Sequence, residues 1–140
     1  MIQQGLTNSF KQEMLQAGQN LATDTLKMAL YTALSDIGPA TTAYTTANEV
    51  SGTGYTAGGA AVTGATISVD TQNNVVYVDF NNVSWPGANF VARGALIYNV
   101  TRSNKSIAVL DFGSDKTFTA ASNTVTIPAN TATTALIRFP

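Results

Sequence analysis

Apolar residues first recur at helical spacing. Leu6, Phe10, Met14, Ala17 and Leu21 fall on one stripe of period 3.6. The pattern predicts a short helix over about residues 6–17. Thr7, Asn8 and Ser9 are N-cap candidates, and Ser9 with Gln12 has capping-box spacing. Gly18 supplies a stop signal, which leaves Leu21 beyond the helix. Such a helix is expected to cover one end of a β core.

The period then changes to two. In "TLKMALYT", Leu26, Met28 and Leu30 alternate with Lys27, Ala29 and Tyr31, as in a half-buried strand. Gly38-Pro39 breaks the pattern, and from about 38 to 59 no period survives, so this segment reads as a long loop. Strand signals resume with Val62, Thr66, Ile67 and Val69, turn at "DTQNN", and continue in "VVYVDF". "NNVSWPGANF" is a break. "GALIYNV" and "SIAVLDF" form a hairpin across "TRSNK", and "KTFTA", "NTVTIP" and "TTALIRF" follow. Seven or eight short strands in one domain spanning 1–140 predict a mainly β fold: an antiparallel β-sandwich or jelly roll with one N-terminal helix. The expected core is Leu26, Met28, Leu30, Val76, Val78, Phe80, Leu96, Tyr98, Val109 and Phe112. Which side faces inward is ambiguous where both are apolar, as in "ALIYNV" and "IAVLDF".

Composition sharpens the picture. Charged residues are only 11% of the chain and the net charge is −1, against about 25% charged in typical soluble domains. The polar surface must come from Thr, Asn, Ser and Gln, as suits a protein that works within an assembly or a β domain with a Thr-rich surface. The cations Lys11, Lys27, Arg93, Arg102, Lys105, Lys116 and Arg138 are scattered, without the basic stripe of a nucleic-acid binder. No apolar run reaches membrane-span length, and "MIQQGLTNSFKQEM" lacks the features of a signal peptide. Neither nucleic acid nor membrane is expected as a partner.

Candidate chemistry is sparse. With neither His nor Cys, acid–base work falls to carboxylates, Lys or Tyr. Glu13, Asp24, Asp36, Glu49, Asp70, Asp79, Asp111 and Asp115 all suit surface or turn roles. No catalytic residue, cofactor or metal is assigned, and an enzyme is not expected. "GTGYTAGG" carries Gly52 and Gly54 in a G-x-G, but no helix follows to hold a phosphate, so its glycines read as turn residues. "DTQNN" and "DFGSD" lack the full spacing of a calcium loop. Tyr31, Tyr44, Tyr55, Tyr77, Trp85 and Tyr98 leave a sugar platform open, although such residues more often serve core or interface. Asn82, Asn99 and Asn104 begin Asn-x-Ser/Thr triplets, as chance allows in so Asn-rich a chain.

The run "FKQEMLQAGQNLATDTLKMALYTALSDIGPATTAYTTANEVSGTGYTAGG", with "VYVDFNNVSW", "ARGALIYN" and "AVLDFG" after it, resembles a family of small structural proteins encoded by tailed bacteriophages. The resemblance covers most of the chain. It implies a virion component, most like a capsid decoration (cement) protein bound outside the shell and assembled in the bacterial host cytoplasm. It also implies the major capsid protein as partner and self-association as a homodimer or homotrimer. A tail or baseplate component and a glycan-binding receptor module are the alternatives. No catalytic residues carry over.

That reading gives the Thr/Tyr segment a purpose. Thr41–Gly59 is expected to order against a neighbouring subunit, with Tyr44, Val50 and Tyr55 as anchors and Trp85 beside them. The competing expectation is a loop folded back on its own sheet, its tyrosines capping the core.

Overall fold

The computed structural model describes residues 1–127 and 134–139. In chain order they form β1 (Gly5–Leu6), α1 (Asn8–Leu15), β2 (Leu26–Tyr31), β3 (Ala60–Val62), β4 (Thr66–Asp70), β5 (Val75–Asp79), β6 (Val83–Ser84), β7 (Phe90–Asn99), β8 (Lys105–Phe118), β9 (Thr124–Val125) and β10 (Ile137–Phe139). The strands make a five-stranded sheet, β1-β8-β7-β2-β3, a three-stranded sheet, β10-β5-β4, and a two-stranded ribbon, β6-β9. Every pairing is antiparallel. The fold is thus mainly β, of the sandwich class, with one short helix, as the alternating pattern predicts.

The helix starts where its cap allows. The Thr7 hydroxyl accepts from the Phe10 amide at 3.3 Å, making Thr7 the N-cap. Its end is a Schellman turn: Gly18 N–H donates to Glu13 O at 2.7 Å and Ala17 N–H to Met14 O at 3.3 Å. Ala17, not Gly18, takes the left-handed position, at φ 56°. Phe10 is the helix residue fully buried, and Leu21 is buried beyond it.

"SIAVLDF" and "KTFTA" are one strand, β8. Between Ala92↔Lys116 and Gly94↔Asp111, β7 has only Arg93 where β8 has residues 112–115. This bulge contains Gly113 at φ 77° and lets a single strand bend across both segments. Among the described residues of "NTVTIP" Thr124–Val125 is strand, and of "TTALIRF" Ile137–Phe139; Pro128 and Thr133 of these two runs lie outside the described residues.

The main sheet is buried on both faces. Met28, Leu30, Ala95, Ile97 and Ile107 face the larger core, with Phe10, Phe80, Trp85, Phe118 and Ile137. Ala29, Tyr31, Leu96, Tyr98 and Val109 face a second, smaller core with Ile2 and Ile37, and Tyr44 packs against it. This explains why "ALIYNV" has no polar side. Two expected core positions need correction. Val76 is 37% exposed, while Val75 and Val78 are buried. It shares a face with Val69 and Phe139, its neighbours in register, and lines a depression at the end of α1. Phe112 is half-buried, tilted against Phe118 with ring centroids 6.4 Å apart.

Candidate functional site

Past Met28, β3 no longer pairs with β2, and the Thr/Tyr segment takes over that edge. Val50 N–H donates to Leu30 O at 2.9 Å and Thr32 N–H to Asn48 O at 3.0 Å, with Glu49 bridged to Tyr31. The Leu30 N–H finds no backbone partner there. It donates to the Tyr55 hydroxyl at 2.9 Å, so a phenol completes the strand edge.

Glu49 organises the rest. Its Oε1 accepts from the Tyr55 hydroxyl at 2.6 Å and from Gly58 N–H at 2.7 Å, and its Oε2 accepts from the Tyr44 hydroxyl at 2.7 Å. Charge-assisted bonds of this kind are roughly twice as strong as neutral ones. The Tyr98 hydroxyl donates to Gly58 O at 2.6 Å, and the Tyr98 ring stacks on Tyr44 at 4.7 Å. The Tyr31 hydroxyl donates to Thr45 O at 2.7 Å. At the far side, Tyr44 N–H donates to Asn104 O at 2.9 Å and Ser106 N–H to Thr42 O at 3.0 Å, so the segment is also tied to the start of β8.

The electrostatics follow from this geometry. Burial first, then the negative charge of Glu49, pushes the Tyr44 and Tyr55 phenols well above their ordinary value. Burial also raises Tyr31 and Tyr98, with Glu49 adding to it. A carboxylate holding three donors, beside phenols held neutral, is an anchor for backbone. It clamps a strap across the second face of the sheet.

The four residues expected at a subunit contact divide in two: Val50 and Trp85 are enclosed by this chain, and Tyr44 and Tyr55 are partly covered by it. Val50 and Trp85 are 4% and 3% exposed, inside this chain's larger core. Tyr55 is half-buried, edge-on to Phe90 at 5.5 Å and stacked over Trp85 at 6.5 Å. Tyr44 is half-buried against Tyr98. The segment folds back on its own sheet because its tyrosines find both ring partners and a hydroxyl acceptor there. The Trp85 indole Nε1 is buried with no hydrogen-bond partner, a cost of about 1–3 kcal/mol that the ring's apolar contacts must exceed. The aromatic platform needed for a sugar is largely turned inward.

A second polar cluster fixes the end of α1 to the β7–β8 hairpin. Asn99, fully buried, donates from Nδ2 to Gln19 Oε1 at 3.0 Å and to Asp24 Oδ2 at 2.8 Å. Arg102 Nε reaches the same Asp24 oxygen at 2.9 Å, and Lys105 Nζ reaches Glu13 at 3.0 Å. Burial works to raise the Asp24 carboxyl, but donors from Arg102, Asn20 and Asn99 outweigh it and hold the group below its usual value. Glu49 as a hub, and buried Gln19 and Asn99, were not singled out by sequence reasoning. The one available signal was that Glu49 is the sole charge between Thr41 and Gly64.

Apolar side chains line two of the surface depressions. One of ≈ 520 Å³ lies between the end of α1 and the apolar face of the three-stranded sheet, lined by Phe10, Met14, Leu21, Val76, Val78 and Phe139 among others. The other, ≈ 440 Å³, includes Phe112, Phe118, Val125 and Leu136, with Asp111 and Lys116 also lining it. Among the described residues no three acids gather in a metal-binding group. No helix there is long and apolar enough to cross a membrane. Comparison with protein-family models, curated proteins and solved structures gives no match.

Proposed function

We propose that this chain is a structural protein of a tailed-bacteriophage virion, a decoration protein that binds the outside of the capsid, contacts the major capsid protein and self-associates. The sequence resemblance suggests the virion. The observation that carries the reading furthest is the state of the Thr/Tyr segment. A run with the composition of a flexible loop is held in place by Glu49 and by backbone bonds to β2 and β8, and presents Thr42, Thr46, Ala47, Asn48, Thr53, Thr56 and Ala57 outward. Ordering a free backbone costs about 1–2 kcal/mol per residue. A surface already ordered avoids most of that cost on docking, and with almost no charge it has little to desolvate. Such a surface suits repeated docking on a lattice.

The test is co-sedimentation of the purified chain with capsids of the phage that encodes it, stripped of this protein, followed by imaging of the particle. Saturable binding and density on the outer shell are expected. Density confined to the tail or baseplate, or no binding to stripped capsids, would overturn the placement. Selective capture on a glycan array without capsid binding would favour the receptor module instead.

A further inference from the structure

β4 ends the three-stranded sheet, and among the described residues no strand pairs with its outer edge. At five residues it is the longest of the strands that end a sheet: β1, β3, β6, β9 and β10 have two or three each. Edges of this kind are usually blunted by Pro, Lys, a bulge or an inward charge. β4, "TISVD", has no Pro, Lys or bulge; its one charge, Asp70, sits at the last position and is taken up by Gln72 and Asn73 of the following turn, and the register with β5 is continuous from Thr66↔Asp79 to Asp70↔Val75. Ile67 and Val69 are 49% and 65% exposed.

The same five residues are complementary to themselves. In an antiparallel pair centred on Ser68, Ile67 lies opposite Val69 of the second copy, and Thr66 lies opposite its Asp70. No two like charges face each other, and each apolar residue meets another. The pairing also extends a row already present. Phe139, Val76 and Val69 lie side by side on one face, as do Ile137, Val78 and Ile67. The first row is exposed and the second is buried at Ile137 and Val78. Two-fold pairing sets the exposed row of one copy next to the buried row of the other.

We propose that β4 is a self-association edge, joining two copies into a six-stranded sheet about a two-fold axis through Ser68. This deepens the self-association in the proposed function by naming its surface and symmetry. It requires only a second copy, so a solution measurement tests it apart from capsid binding.

The chain has no cysteine, so Ser68→Cys introduces a single thiol on the proposed axis. Opposed Cα atoms in an antiparallel pair lie about 4.5–5.5 Å apart, within disulfide reach. Under mild oxidation Ser68→Cys should cross-link to dimer faster than Ser114→Cys, whose thiol would be exposed on β8. Sedimentation equilibrium should show a monomer–dimer equilibrium, and Val69→Lys should weaken it about tenfold or more. The Val69→Lys melting temperature should stay near that of the parent at concentrations where both are monomeric, because that side chain is largely exposed. A monomer at every concentration, a trimer, equal cross-linking at the two thiols, or a dimer indifferent to Val69→Lys would overturn the proposal. Capsid binding could fail with the edge intact, and the edge could fail with capsid binding intact.

Discussion

Gly59 lies against the Met28 carbonyl with no space for a methyl group, at φ +80°. This contact lets the Thr/Tyr segment close onto β2 just where β3 begins. Gly59→Ala should cost about 3 kcal/mol, the sum of a left-handed alanine and an overlap with backbone that cannot move aside. Gly113→Ala has open space around the added carbon at φ +77° and should cost only about 1–2 kcal/mol. Urea denaturation of the two variants checks the difference.

At the end of α1 the sign reverses. Ala17 occupies the left-handed position of the Schellman turn at φ 56°. Ala17→Gly should stabilise the protein by about 0.5–1 kcal/mol, because relief at that position exceeds the extra freedom glycine has when unfolded. A raised urea midpoint with an unchanged slope is the expected result.

Glu49→Gln keeps the shape of the side chain but offers one acceptor oxygen to three donors. A loss of about 1–2 kcal/mol is expected, since the group is only half-buried. Hydrogen exchange should localise it: the Gly58 and Leu30 amides should exchange faster, while amides within β5 change only as far as global stability does. Uniform acceleration throughout the chain would count against a local clasp.

The phenols predict an alkaline limit. Burial and Glu49 raise the folded values of Tyr44 and Tyr55, and burial raises that of Tyr31. The neutral phenol is therefore favoured in the folded state. Its contribution is complete below the unfolded value of about 10 and is lost as pH rises from there through the raised folded values. Tyrosinate absorbance at high pH should appear together with loss of the β circular-dichroism signal. Ionisation of these tyrosines with structure intact would contradict the network.

Much of the fold is visible in the pattern of residues. Leu26, Met28 and Leu30 alternate as a strand should, and all three are buried. That Ala29 and Tyr31 are buried as well depends on Ile2, Ile37 and Tyr44 lying over them, which no local pattern announces. Val76 and Val78 share one face of β5, so alternation alone cannot tell that Val78 is covered and Val76 is exposed; position along the strand decides it. The Glu49 donors are close in sequence, yet their convergence depends on turns at Gly52, Gly54, Gly58 and Gly59, all at positive φ. No local pattern marks Gln19 or Asn99 for burial, and only the tertiary fold encloses them.

The strap's ties to Tyr98, Asn104 and Ser106 bear on how the chain is made. Residues 41–59 leave the ribosome well before their partners on the β7–β8 hairpin. At about 5–20 residues per second the delay is roughly 3–10 s. Throughout that interval Tyr44 has no ring to stack on, and Ala29 and Tyr31 lack Leu96, Tyr98 and Val109, their partners in the second core. A nascent chain halted before Tyr98 should therefore expose Ala29 and Tyr31 to chaperones, and release from them should coincide with emergence of the hairpin.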